Sequence, residues 1–265
     1  MTTQQLARDV KFLKAYAMGA TLVPVVALLC AFGKPDKPVS FKEINVERLN
    51  LVEPNGAVKM ILSNKARFPQ AVSVAGQVIP NKRSVPGMLF FNDRGDECGG
   101  LIFGGQQDEK GNVQAGGHLS FDRFGQDQVI ALTYQQQGPT YTAGLTFNDA
   151  PDVPLPESMA AWEKLKNASP EQQKQAMREG KTGLLPRVYM GTTRSKSSAL
   201  LLNDQRGDNR VMLLANNEQS TLDFKDQQGR LRLRIGVDAQ NQPVLQFFDE
   251  AGKPAKTVGL QEAGK

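Results

Sequence analysis

Histidine occurs once in these 265 residues, tryptophan once and cysteine twice. A single histidine excludes any metal centre built on several imidazoles. The two cysteines are far apart, Cys30 inside a hydrophobic run and Cys98 well downstream, so an internal disulfide is not expected and the redox compartment stays open. No glycine-rich loop leads into a helix with a lysine, so a phosphate cradle is missing. No twelve-residue acidic loop of the EF-hand kind occurs. Long runs of like charge are missing too: the net charge of +5 is spread thinly along the chain. Basic residues do not alternate with aromatic ones, so nucleic acid is not an expected partner. No cofactor is expected either. With 40% hydrophobic and 22% charged residues, the chain can bury a core and is not globally disordered.

Charge is also missing from one long stretch, Ala15–Phe32, and that stretch is the strongest positive signal. As a helix it would rise about 27 Å, just enough for the hydrocarbon core of a membrane. Arg8, Lys11 and Lys14 precede it against one acid, Asp9, and Lys34 and Lys37 follow. Lysines at such positions can extend to the headgroups, and Tyr16 and Phe32 fall near the two interfaces. Pro24 is tolerated in a membrane helix and is expected to kink it. A cleaved signal peptide is a competing reading, but Leu28-Leu29-Cys30 lacks the small residues of a cleavage site. A buried helix of a soluble fold is the third. The basic flank favours an N-terminus inside the cell. The expectation is therefore a cytoplasmic tail (1–14), a transmembrane helix (15–32) and a linker (33–40), with the remainder beyond the plasma (inner) membrane.

From Phe41 onward the signals are those of strands. A turn formula recurs, an acid or Asn followed three residues later by Gly. It appears at Glu53–Gly56, Asn92–Gly95, Asp108–Gly111, Asp122–Gly125, Asp204–Gly207, Asp226–Gly229 and Asp249–Gly252. The first side chain bonds the backbone two residues on, and the glycine supplies the positive φ that closes the loop. Gly207, Gly229 and Gly252 recur at spacings of 22 and 23 residues, with opposite-end turns at Asn216–Gln219 and Asp238–Asn241 between them. Strands of about six residues in an up-and-down meander follow from that spacing. Around Asp226–Gly229 a four-residue loop predicts Lys225 opposite Arg230, Phe224 opposite Leu231, Asp223 opposite Arg232 and Leu222 opposite Leu233. In the first half, strands are expected at 45–52, 57–62, 88–91, 101–103, 118–121, 128–134 and 140–147. Ser63–Pro86, with three prolines, is too long for a tight hairpin. Pro151, Pro154 and Pro156 mark a linker, followed by a short helix at Glu157–Lys166. A second helix has Ser169 as N-cap, Pro170 at its first position and Gly180 as its stop. The fold class expected is mainly β: an N-terminal transmembrane helix, then antiparallel meander units in two related halves (41–150 and 187–265) around a helical connector (151–186). One continuous sheet, a sandwich and barrels all remain open at this point.

Few residues suggest chemistry. Cys98 with His118, and Ser120 nearby, could form a nucleophile–base pair for a hydrolase, but nothing in the sequence fixes their geometry. Asp93, Asp96, Glu97, Asp108, Glu109, Asp122 and Asp127 fall in turns, which account for them without calcium. The triplets Arg94–Asp96 and Arg206–Asp208 read Arg-Gly-Asp, yet both overlap the turn formula. Gly99, Gly100, Gly104 and Gly105 bracket Leu101–Phe103 and could lie against a ligand, although bulges and close backbone packing also call for glycine there. Arg230, Arg232 and Arg234 share a strand face and could grip an anion or headgroup, with ion pairing as the plainer use.

Three segments carry a resemblance: Ile44–Gly56, Ser63–Pro69, and Gly87–Phe91 running on to Gly100–Gly105. They resemble an uncharacterised family of bacterial proteins with an N-terminal membrane segment. The resemblance implies a bacterial source and membrane attachment and brings no catalytic residues. The functional expectation is a non-enzymatic, membrane-anchored scaffold or interaction protein facing the periplasm or exterior, with a homo-oligomer or an envelope protein as partner. The alternatives are an extracytoplasmic glycan- or lipid-binding domain and the hydrolase.

Overall fold

The computed structural model describes residues 2–32, 38–81 and 83–259, with the side chains of 27–32 and 259 excepted. Residues 33–37 of the expected linker and the Cys30 side chain therefore lie outside the described residues. The chain divides into two units, Met1–Asn45 and Val46–Lys265. The first contains the helix α1, Thr3–Phe32. Among the described residues no helix is long and apolar enough to cross a membrane, so a spanning segment at Ala15–Phe32 is not supported by them. The polar, charged residues of α1 lie within Thr3–Lys14, and its apolar part runs on into 27–32, beyond the last described side chain.

The second unit is built on sixteen strands and two helices among the described residues. The strands are β1 (Arg48–Val52), β2 (Val58–Ser63), β3 (Ala71–Val74), β4 (Gln77–Pro80), β5 (Gly87–Phe91), β6 (Glu97–Gln107), β7 (Val113–Asp122) and β8 (Gln128–Gln137). They continue with β9 (Thr140–Asp149), β10 (Leu185–Thr192), β11 (Ser198–Asn203), β12 (Asn209–Ala215), β13 (Ser220–Lys225), β14 (Leu231–Val237), β15 (Pro243–Phe248) and β16 (Pro254–Gly259). Between β9 and β10 come α2 (Leu155–Leu165) and α3 (Pro170–Arg178). Fourteen strands form one antiparallel sheet in chain order, interrupted only where β3 and β4 pair apart as a two-stranded ribbon. β9 pairs directly with β10, so the strands on either side of the helical connector belong to one continuous sheet.

The expected turns close the hairpins, with a detail that changes the register. The Asp226 amide donates to the Arg230 carbonyl, and the Gly229 amide to the Asp226 carbonyl, with Gly229 at φ 77. The Asp226 carboxylate also accepts from the Gln228 and Arg230 amides. This is a type I turn closed by a left-handed glycine, which inserts a one-residue bulge at the strand end. The same paired bonds recur at 53–57, 92–96, 108–112, 204–208 and 249–253. Because of the bulge, the register expected around Asp226 is corrected: Phe224 lies opposite Leu233, Asp223 opposite Arg234 and Leu222 opposite Ile235. The turn expected at Asp122–Gly125 begins one residue later. Arg123 donates to the Asp127 carbonyl and Gln126 to the Arg123 carbonyl, so Asp122 stays on its strand.

The Ser63–Pro86 excursion contains the β3–β4 hairpin, turned by Ala75 and Gly76 at φ 51 and 76. Asp96 fastens this ribbon to the sheet. Its carboxylate accepts from the Ser73 hydroxyl at 2.5 Å and the Gly76 amide at 3.0 Å, and pairs with Arg94 at 2.7 Å. Phe68, Val72 and Val74 bury themselves against Leu89, joined by Ile79, Phe91, Ile102 and Leu155 at the start of α2. α3 starts as expected: Ser169 and Gln172 form a reciprocal capping box, and Pro170 opens the helix. Lys174 and Arg178 tie it to Asp208.

Glycines let neighbouring strands close on one face. A Cβ on Gly191 would fall well inside van der Waals contact of the Ala143 carbonyl oxygen, whereas one on Gly117 would have its nearest neighbour at 4.0 Å. Gly191→Ala is therefore expected to cost about 2 kcal/mol or more through overpacking, and Gly117→Ala to stay within about 0.5 kcal/mol. Denaturant midpoints of the two variants check this contrast.

Candidate functional site

The pairing registers can be followed from strand to strand across the whole sheet, since directly opposed residues share a face. One such row reads Leu49, Leu62, Met88, Leu101, Leu119, Leu132, Leu145, Met190, Leu200, Leu213, Leu222, Ile235, Leu245 and Val258. It crosses all fourteen strands without a polar residue. Two positions along each strand, on the same face, runs a second row: Leu51, Met60, Phe90, Gly99, Phe121, Ile130, Phe147, Val188, Leu202, Val211, Phe224, Leu233, Phe247 and Lys256. A lysine enters only on the last strand.

Neither row is covered by the described residues of its own unit. None of the side chains in them is buried, and Leu132 and Met190 are 53% and 54% exposed. By contrast Ile61, Ser63, Leu89, Ser120, Ala131, Ala199, Thr221 and Asp223 are buried, and the registers put all of them on the opposite face. The sheet thus buries one side and leaves an apolar band on the other. Contiguous apolar patches of this size on a protein surface mark places where something binds.

The covered face also carries a groove, with a cavity of about 960 Å³. Gly104, Gly116, Gln114, Gln135 and Thr133 line it along β6–β9, with Lys65 and Arg194 at its margins. Among the described residues no acid lines it. His118 lines it too. Its Nδ1 lies 3.0 Å from the Thr133 hydroxyl, and its Nε2 is shut from solvent without a hydrogen-bond partner among the described residues. Such a groove can offer amides, hydroxyls and two cations to a polar ligand.

The residues singled out in the sequence divide clearly. Gly104 and Gly105 line the groove, whereas Gly99 and Gly100 sit where a Cβ would strike the backbones of β7 and β5, so their role is packing. Cys98 and His118 are not brought together. His118 lies opposite Ile102, four residues along β6 from Cys98, a separation of about 13 Å. Burial, with Asp122 and Glu97 nearby, pushes the Cys98 thiol up rather than towards a thiolate. The nucleophile–base pair is therefore not formed. The three arginines are engaged within the chain. Arg234 makes a two-pronged pair with Asp223, both bonds at 2.7 Å, where Asp223 is 2% exposed. Arg230 bonds Asp226 and the Glu250 carbonyl. Arg232 bonds the Phe248 carbonyl, with Asp226 at 3.6 Å. Burial works against the Asp226 charge, but the Arg230 side chain and two backbone amides outweigh it and hold that carboxyl at about 2. The Arg-Gly-Asp triplets are likewise held in ion pairs, Arg94 with Asp96 and Arg206 with Asp208.

The apolar rows were visible in the sequence only as alternation within single strands. Asp122, read from the sequence as a turn residue, lies on β7 instead. Burial, reinforced by the Asp127 and Glu97 charges and opposed by Arg83 and the Ser120 hydroxyl, raises its pKa to about 7. The folded chain holds that proton while the unfolded chain releases it near pH 4, so stability falls as pH rises from about 4 to 7 and levels off above. Asp122→Asn is expected to remove this slope and to gain on the order of 2 kcal/mol at pH 8. Urea unfolding of the parent and the variant between pH 4 and 8 reads it directly. Compared with known proteins, the chain matches no family model and none of the curated proteins.

Proposed function

We propose that this chain is a non-enzymatic scaffold, tethered to the plasma membrane by α1 with its β unit on the extracytoplasmic side, and that its work is assembly. The observation that carries the reading is the uncovered pair of apolar rows. Side chains that serve neither the core nor a turn are conspicuous there, and the sequence's best nucleophile–base candidates lie far apart. Support for the tether comes from Tyr16, Leu22, Val23 and Val25, exposed along α1, and from Thr21, whose hydroxyl donates back to the Ala17 carbonyl at 2.9 Å. A hydroxyl bonded in this way suits an apolar surrounding. The uncharged stretch Ala15–Phe32 between basic flanks favours retention with the N-terminus inside.

The full chain, extracted in mild detergent, is expected to run on native gels well above the mass of one chain and to resist carbonate extraction from membranes. Leu132→Glu combined with Leu213→Glu, at two exposed positions of the first row, is expected to bring it down to one chain with an unchanged far-ultraviolet circular dichroism spectrum. A parent that runs as one chain, or a variant that keeps the parent's size, removes the scaffold reading.

The groove favours a second reading, an extracytoplasmic glycan-binding domain. Its glutamines, threonines and His118 suit hydroxyl-rich ligands, and Lys65 and Arg194, with no acid among the described lining residues, suit an acidic sugar. Calorimetric titration should then show binding of oligogalacturonate, weakened at least tenfold in Arg194→Ala, and little binding of maltooligosaccharide. Equal or absent heats for the two sugars exclude this reading.

A further inference from the structure

We infer that the apolar band is covered by the same band of a second copy of this chain, sheet facing sheet; the inference rests on the reading of that face as an assembly surface. Three features of the band select a second copy over other occupants. The first is area. Fourteen strands spaced about 4.8 Å apart make the band about 60 Å long, and two rows of side chains make it about 14 Å wide. Two such bands in contact would remove up to about 1,700 Å² from water, within the range of a stable protein–protein interface. Sheets that pack in this way interleave their facing side chains about 10 Å apart.

The second feature is relief. In the second row a phenylalanine stands on five of the six alternate strands from β5 to β15: Phe90, Phe121, Phe147, Phe224 and Phe247 on β5, β7, β9, β13 and β15, with Leu202 in that place on β11. Smaller residues lie between most of them, among them Ile130, Val188, Val211 and Leu233. Over Gly99 the gap is closed by the Phe90 and Phe121 rings, stacked at 6.2 Å. Large rings therefore alternate with smaller side chains at strand positions about 10 Å apart, except at β11 and over Gly99. The twofold image of the band carries the same alternation of large and small side chains, so that knobs of one copy can lie over recesses of the other.

The third feature is charge. Lys256 on the last strand is the one charged residue in the two rows, so two copies can meet without burying an unpaired ion along the band. Acyl chains would also accept an apolar surface, but they do not call for an alternation of large and small side chains on it.

The test uses the full chain in the membranes of the expressing cell, with the photoreactive amino acid p-benzoylphenylalanine placed at Leu213 and a differently tagged copy co-expressed. Light is expected to join the two tagged copies. The same label at Gln246, on the opposite face, is expected to join them at least tenfold less. Phe147→Ala, which removes one knob, should lower the Leu213 yield several-fold while leaving the chain folded. Adducts with a different protein alone overturn the second copy but leave the scaffold reading standing. Lipid adducts alone, or none, overturn both. Equal self-adducts from Leu213 and Gln246 indicate unspecific aggregation and overturn the inference.

Discussion

The structure depends on keeping fourteen strands in phase. Side chains alternate between the two faces of a sheet, so a slip of one residue between any two strands would turn every later leucine from one face to the other. The turns guard against this slip. Most of the acid-to-glycine turns set a bulge at the end of the strand, as between Phe224 and Lys225 or Leu202 and Asn203, while the Asp108–Gly111 turn sets none, and all leave the strand body regularly paired. The carboxylates of Asp108, Asp204, Asp226 and Asp249 each bond two amides of their own loop, which fixes the loop length and with it the phase.

Phase divides the labour between the faces. One face accepts the β3–β4 ribbon, supplies Leu89 and Ile102 to the small core, and settles its charges internally, above all in the Asp223–Arg234 pair. The glycines that let strands approach lie there too: Gly87, Gly191 and Gly236 occupy one row of that face. The other face has no such layer over it among the described residues of the unit. A sheet with one solvated face normally alternates apolar and polar residues along its strands. Here leucine and phenylalanine occupy the face that no described element of the unit covers, which reverses the usual assignment and makes the band the feature that calls for an explanation.

Much of this was legible in the sequence, and the rest was hidden for definable reasons. The turn formula announced itself because Asp and Gly are required at fixed positions by backbone geometry. Ser169, Pro170 and Gly180 marked α3 for the same kind of reason. Register was not legible, because a bulge adds one residue without a residue type of its own, and so Asp223 was matched to Arg232 instead of Arg234. The continuous rows depend on thirteen registers at once and cannot be seen in any one strand. Ser63–Pro86 concealed a hairpin because its prolines mask the alternation of two four-residue strands. Asp122 looked like the first residue of a turn, and only the observed start at Arg123 leaves it half-buried on β7 beside other carboxylates. The glycines at 104 and 105 pointed to the groove, while Lys65 and Arg194 at its margins come from loops with no signal of their own.

The strictly sequential strand order has a consequence for how such a molecule can vary. Every strand of the long sheet is paired only with its neighbours in that order, so the unit grows in one dimension, like a repeat protein. Adding or deleting one hairpin would lengthen or shorten the sheet by about 10 Å while restoring chain direction and phase, whereas a single strand would reverse the chain. The helical insert between β9 and β10 already shows that a connection can be enlarged without breaking the ladder on either side. Length is in this sense a quantised dimension of the fold, with the hairpin as its unit.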